Sequence, residues 1–167
     1  MNKIAVFADV QNIYYTVKQS HHCHFNYSEL WRQLSEEGQI VVAQAYAIDR
    51  GDEQQKSFQE ILRQLGFTVR LKPYIHRADG SSKGDWDVGI AIDVIDTICD
   101  SERQIDTLVL LSGDGDFDLL LRRVTRDQKI KTIVYGAASL SAKSLIDAAS
   151  EFRPIEGNLL MKKPNRD

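Results

Sequence analysis

The chain has 167 residues and a formal net charge of −3, with 43% hydrophobic and 27% charged residues. A chain of this size and composition forms one compact domain and buries about 70% of its unfolded surface, so its core needs no disulfide or metal staple. The acidic balance excludes a globally basic nucleic-acid wrapper, apolar runs of under ten residues exclude a membrane-spanning helix, and Met1-Asn2-Lys3 opens no signal peptide.

Ile4 to Ala8 is a continuous apolar run, the pattern of a strand buried on both faces. A helix is expected after Asn12. A second begins near Asn26, where Asn26 and Glu29 have capping-box spacing, and stops at Gly38. Ile40 to Ile48 reads as strand two. Asp52 with Gln55 caps a third helix, whose Phe58, Ile61, Leu62 and Leu65 share a face. Phe67 to Lys72 is strand three, alternating apolar with charged residues. The stretch from Arg77 to Gly84 is a loop, followed by a helix from Asp85 to Cys99. Leu108 to Leu111 is strand four, and Phe117, Leu120, Leu121 and Val124 mark the next helix. Ile130 to Tyr135 is strand five, and a last helix lies near Ser141 to Ala149. Residues 1–153 form the domain, and a poorly ordered tail is expected over residues 154–167.

Strands alternating with helices predict an α/β fold with a doubly wound, parallel, five-stranded sheet. Strand three alternates charge, and strand five is flanked by Lys129 and Lys131. Both therefore read as edges protected by charge, which gives the order 3-2-1-4-5. Ligands bind such sheets beyond the carboxyl ends of the strands, where strand order reverses. Here that point lies between strands one and four. Asp9 follows strand one, Asp114 and Asp116 follow strand four, and Asp87 opens the helix after strand three.

Two unit charges 5 Å apart repel by about 3 kcal/mol at an effective dielectric of 20. Four clustered carboxylates are thus costly unless protons or a cation intervene, and hard oxygen ligands at an open rim suit Mg²⁺ or Mn²⁺. Taken singly, Asp87 and Asp116 equally suit a helix cap or first-turn acid. Cys23 and Cys99 form no CxxC pattern and fit a reduced, cytoplasmic setting. His21, His22 and His24 beside Cys23 are too close in sequence to close a tetrahedral zinc site readily.

Three strings resemble the NYN domain family of the PIN-like nuclease superfamily, and its bacterial LabA-like branch in particular. They are Phe7-Ala8-Asp9-Val10-Gln11-Asn12, Lys83-Gly84-Asp85-Trp86-Asp87-Val88 with Asp93, and Ser112-Gly113-Asp114-Gly115-Asp116-Phe117. The resemblance covers most of residues 3–153. It implies a PIN-like, Rossmannoid domain acting as a metal-dependent ribonuclease, with Asp9, Asp87, Asp114 and Asp116 holding Mg²⁺ or Mn²⁺ and Asn12 and Ser112 supporting them. Asp93 matches a family acid, yet it lies six residues after Asp87, about 240° round a regular helix. Where the family often has Asp before an aromatic, this chain reads Ser150-Glu151-Phe152.

The expected reaction is hydrolysis of RNA phosphodiesters, and the expected partner is single-stranded RNA, with no membrane partner and a homo-oligomer left open. Arg122, Arg123, Arg126, Lys129 and Lys131 stand against Asp127 alone in a ten-residue span. Arg70, Lys72, His76, Arg77 and Lys83 form a second basic cluster. Either cluster suits a phosphate backbone, and either equally suits a solvated helix face or a protected edge. Tyr14 and Tyr15 suit base stacking, with at least one of them expected in the core. The rival function is an RNA- or protein-binding regulatory module with feeble or lost hydrolysis. Haloacid-dehalogenase, receiver and dinucleotide-binding readings fail: Gln11 replaces a second acid, Pro73-Tyr74 stands after strand three, and the first turn holds no Gly.

Overall fold

The computed structural model describes residues 1–73, 75–76, 82–83 and 85–161. Side chains at 75, 76, 82, 83 and 127 are outside that description. Six parallel strands form the main sheet. They are β1 (Lys3–Asp9), β3 (Gln39–Asp49), β4 (Thr68–Pro73), β7 (Thr107–Leu111), β8 (Lys131–Gly136) and β9 (Glu151–Pro154). Their spatial order is β4-β3-β1-β7-β8-β9. Two small antiparallel pairs accompany it: β2 (His24–Phe25) with β10 (Leu160–Met161), and β5 (Ile75–His76) with β6 (Ser82–Lys83).

The alternation of β1 explains its central place. Ile4, Val6 and Ala8 point into one core, and Ala5 and Phe7 into the other. The first core lies beneath α1 (Val10–His21), α2 (Tyr27–Glu37) and α3 (Glu53–Leu65), which contribute Ile13, Leu30 and Leu62. The second lies beneath α4 (Asp87–Cys99), α5 (Asp118–Asp127) and α6 (Lys143–Ala148), which contribute Ile90, Leu121 and Leu145. Strands buried on both faces need apolar side chains of both parities, and helices cover each face of the sheet. The local starts follow capping chemistry: Asn26 Oδ1 accepts from the Glu29 amide at 3.1 Å, and Asp52 Oδ1 from the Gln55 amide at 2.7 Å. Gly66 ends α3 at φ 123°, and a Cβ there would sit 2.7 Å from the Trp31 ring, so the turn needs glycine.

Three expectations are corrected. The sheet has six strands, not five, and β9 pairs with β8 from Ile133↔Glu151 to Gly136↔Pro154. Strand five is therefore internal, and the charge beside it does not mark an edge. Residues after Pro154 also continue the fold through Met161. Ile155 and Leu159 are buried, and β10 pairs with β2. Finally, the fourth helix begins at Asp87 rather than Asp85.

Candidate functional site

Strands β1 and β7 run in register from Ile4↔Thr107 to Ala8↔Leu111. The next residue of each, Asp9 and Ser112, therefore emerges side by side at the carboxyl edge. Ser112 Oγ donates to Asp9 Oδ2 at 3.2 Å and accepts from the Asp114 amide at 3.2 Å. Asp9 also caps α1, accepting from the Asn12 amide at 3.4 Å. Asn12 Oδ1 accepts from the Gly113 amide at 2.8 Å, tying the first turn to the loop after β7. In that loop Asp114 caps the short 3₁₀ turn Gly115–Phe117, accepting from the Asp116 amide at 2.9 Å. The capping acids are thus Asp9 and Asp114, which leaves the side chain of Asp116 exposed at the rim.

Close packing fixes this loop. A Cβ on Gly113 would come within 3.0 Å of the Leu140 carbonyl oxygen and Ser141 Oγ, and one on Gly115 within 2.9 Å of the Ala142 methyl. From the other side, Trp86 anchors the start of α4. Its indole N–H donates to the Ala47 carbonyl at 2.9 Å, and Lys72 Nζ lies 4.5 Å above its ring. The same Lys72 donates to the Asp85 carbonyl at 3.1 Å. Asp87, the first residue of α4, is thereby carried to the loop: Asp87, Asp114 and Asp116 each offer a carboxylate oxygen within 4.8 Å of the others.

The electrostatics record the crowding. Burial pushes the Asp9 carboxyl up to about 6 against the Asn12 and Ser112 hydrogen bonds, with Asp114 and Asp85 adding repulsion. Burial also raises Asp87, to about 7, helped by its carboxyl contact with Asp114 and by the charges of Asp114, Asp85 and Asp9. Asp85 is a fifth acid that the sequence analysis left out of the site, although its two-residue spacing from Asp87 was visible. Its carboxylate accepts from the Asp87 amide at 3.1 Å.

The remaining expected residues divide. Asp93 points away, accepting from the Tyr46 hydroxyl at 2.8 Å and Arg70 Nη1 at 2.6 Å. Glu151 lies in β9, bound to Arg153 at 2.9 Å. Tyr14 and Tyr15 are both exposed, so the expectation of a core tyrosine there is overturned. They meet edge to face at 5.3 Å, Tyr14 stacks on His24, and Lys18 lies 5.5 Å from the Tyr14 ring. Arg50 Nη2 donates to the Tyr15 hydroxyl at 2.8 Å. Helix α5 starts at the acidic rim and runs back toward the opposite edge, where β8 begins. Arg126 and Lys129 consequently sit far from the carboxylates of their own chain, and Arg122 and Arg123 lie partway along. Arg77 lies outside the described residues, and at Lys83 only the backbone is described, paired with Ile75.

The donor set fits a hard divalent cation. Carboxylate oxygens from the start of α4 and from the loop after β7 converge within 4.8 Å of one another, close to the spacing of up to about 4.2 Å between oxygens that share Mg²⁺ at about 2.1 Å. Among the described residues this is the one group of three or more such ligands.

Comparison with known proteins gives concordant results. The NYN domain pattern matches residues 3–156. The chain is 26% identical over 159 residues to the low amplitude and bright protein LabA of Synechococcus elongatus, covering 90% of this chain and 82% of that protein. It is also similar to the crystal structure of VPA0982, a protein of unknown function from Vibrio parahaemolyticus. The identity there is 45% and the TM-score 0.87, covering 96% of each chain.

Proposed function

The chain belongs to the NYN domain family, and we propose that it is a Mg²⁺- or Mn²⁺-dependent endoribonuclease acting on single-stranded RNA. The observation that carries this reading is the convergence of Asp87, Asp114 and Asp116 beside the buried Asp9. A pure binding surface for a polyanion gains nothing from four crowded carboxylates, since each repels phosphate as well as its neighbours.

Asp9, Asp87, Asp114 and Asp116 would hold the ion. Held there, it would offset charge on the scissile phosphodiester and lower the pKa of the attacking water. The chain's own groups do the rest. Ser112 and Asn12 fix the Asp9 carboxylate and the loop. Asp87, raised to about 7 in the metal-free chain by burial and by Asp114, gives up its proton when the cation binds. Asp85, outside the tight trio, adds negative charge that favours cation entry. The exposed pair Tyr14 and Tyr15 begins about 8 Å along α1 from Asp9 and offers faces on which unpaired bases stack. Lys72, which donates to the Asp85 carbonyl, supplies positive charge at the start of α4. No described helix is long and apolar enough to cross a membrane, and the free thiols of Cys23 and Cys99 suit a cytoplasmic setting.

The test is cleavage of end-labelled single-stranded RNA by the full chain with MnCl₂ or MgCl₂, with Asp114→Asn as control. Metal-dependent cleavage lost in Asp114→Asn supports the assignment. Cleavage that survives the substitution removes it. Tight RNA binding without cleavage favours the regulatory binding module.

A further inference from the structure

Helix α4 turns an apolar stripe toward solvent. Val88 is 72% exposed and Ile92 55% exposed, and Ile95 and Cys99 continue the line. The spacing of four, three and four residues is that of a coiled-coil seam, and it lies opposite the buried Ile90, Val94 and Thr97. Beside it, α5 exposes Leu119 at 73%. A groove of about 580 Å³ runs between the two helices, floored by Ala91, Phe117 and Leu120 and bordered by Asp87, Asp96 and Asp116. A contiguous exposed apolar face of this kind calls for a partner.

The charge along α5 says which one. Its amino end carries Asp116 and Asp118, while Arg122, Arg123, Arg126 and the following Lys129 are exposed toward its carboxyl end. All ion pairs among the described residues lie elsewhere. A surface acidic at one end and basic at the other complements its own copy turned end for end. Paired in parallel, it would set acid on acid.

We propose that this face is an antiparallel, two-fold interface with a second copy of the chain, α4 against α4 and α5 against α5. Burial of Val88, Ile92, Ile95 and Leu119 supplies the apolar centre of an isologous contact. In the register that sets Val88 on Cys99, the second copy's Arg126 and Lys129 come to the Asp118 and Asp116 end. The cations that topology carries away from one chain's carboxylate rim are thereby returned to it by the other chain. This goes beyond the nuclease reading and does not depend on it.

Sedimentation equilibrium of the full chain tests the pairing. A dimer is expected. Ile92→Glu, at an exposed position where circular dichroism should show the fold retained, should raise the dissociation constant at least about tenfold, because a carboxylate is buried unpaired at the seam. Arg126→Asp should weaken the dimer, and Asp118→Arg added to it should restore it. Register is read by cross-linking in a Cys23→Ser background. In an antiparallel seam a thiol introduced by Val88→Cys faces Cys99 of the second copy, so mild oxidation links the chains. The two native Cys99 thiols lie roughly 16 Å apart along such a seam, out of disulfide reach. A chain monomeric at every concentration, or a dimer indifferent to Ile92→Glu, overturns the proposal and leaves the face to a protein of another sequence. Cys99–Cys99 linkage without Val88→Cys overturns the antiparallel arrangement.

Discussion

Ser112 holds Asp9: its hydroxyl donates to Asp9 Oδ2 at 3.2 Å while its oxygen accepts the Asp114 amide. Two acids more than a hundred residues apart are thereby coupled through one buried hydroxyl. Ser112→Ala removes the only side-chain donor to Asp9 among the described residues. The Asp9 carboxyl, already up at about 6 because burial outweighs its hydrogen bonds, should move higher. A hydrogen bond to a charged group contributes about 1.5–3 kcal/mol. Mn²⁺ affinity at pH 7, measured by isothermal titration calorimetry, should therefore fall roughly tenfold to a hundredfold. An unchanged affinity would show that Ser112 merely packs.

The raised carboxyls set a pH dependence with a definite sign. Asp9 and Asp87 titrate at about 6 and about 7 in the fold, against an ordinary 3.8. Between those values the folded chain binds more protons than the unfolded one, so metal-free stability declines as pH rises through this window. For the buried Asp9 the whole effect is about 3 kcal/mol. The loss starts near pH 4 and is complete above about pH 7. A cation that needs ionised ligands reverses it. Thermal melts should accordingly show Mn²⁺ raising Tm more at pH 8 than at pH 5, and Asp9→Asn should flatten the metal-free slope. Equal Mn²⁺ shifts at both pH values would count against a carboxylate site.

Asp93 and Asp87 share a helix but meet different partners. Asp93 receives the Tyr46 hydroxyl and the Arg70 guanidinium, so it locks α4 to β3 and to the edge strand β4. Asp93→Ala leaves the Tyr46 hydroxyl only its 3.4 Å contact with Gln44 and removes the ion pair of Arg70. It should cost about 2 kcal/mol, roughly 4–8 °C in Tm, while leaving RNA cleavage intact well below the melt. Asp87→Asn should do the reverse. Removing one of the crowded charges should hold or raise metal-free Tm, and cleavage should be lost. Parallel melting curves and cleavage assays distinguish the two.

Those contrasts show which features were legible in the chain. β1 and β7 declare themselves by unbroken apolar runs, and the strand-end position of Asp9, Asp114 and Asp116 follows from them. The 240° offset of Asp93 from Asp87 was equally readable, and it separates the acid that meets Tyr46 and Arg70 from the one that meets Asp114 and Asp116. β9 was hidden because Glu151-Phe152-Arg153-Pro154 has no apolar alternation and ends in proline, which an edge strand tolerates. Its order comes from contacts distant in sequence: Arg153 donates to Glu37 at 2.6 Å and to the Tyr135 hydroxyl at 2.7 Å. Local patterning also misplaced the tyrosines, since two adjacent residues on a short helix can both face outward. The charge count over the basic span after Leu121 carries no direction, and α5 runs away from the rim.

The segment after Pro154 provides the last test, because charge and proline made it look like a tail. The Ile155 amide donates to the Gly136 carbonyl at 3.0 Å, and its side chain is 1% exposed. Leu159, also buried, presents a carbonyl that accepts from the Asn26 amide at 2.8 Å, and Asn26 is the residue that caps α2. The segment therefore seals the core beneath α1 and α2 and steadies a helix start more than a hundred residues earlier. Ile155→Ala removes buried methyl groups and should cost about 2–4 kcal/mol. A chain ending at Pro154 loses Ile155, Leu159 and the β2–β10 pair together and should fold poorly, if at all. Urea denaturation of Ile155→Ala checks this directly. A midpoint within error of the parent's would mean that the segment lies on the domain without stabilising it.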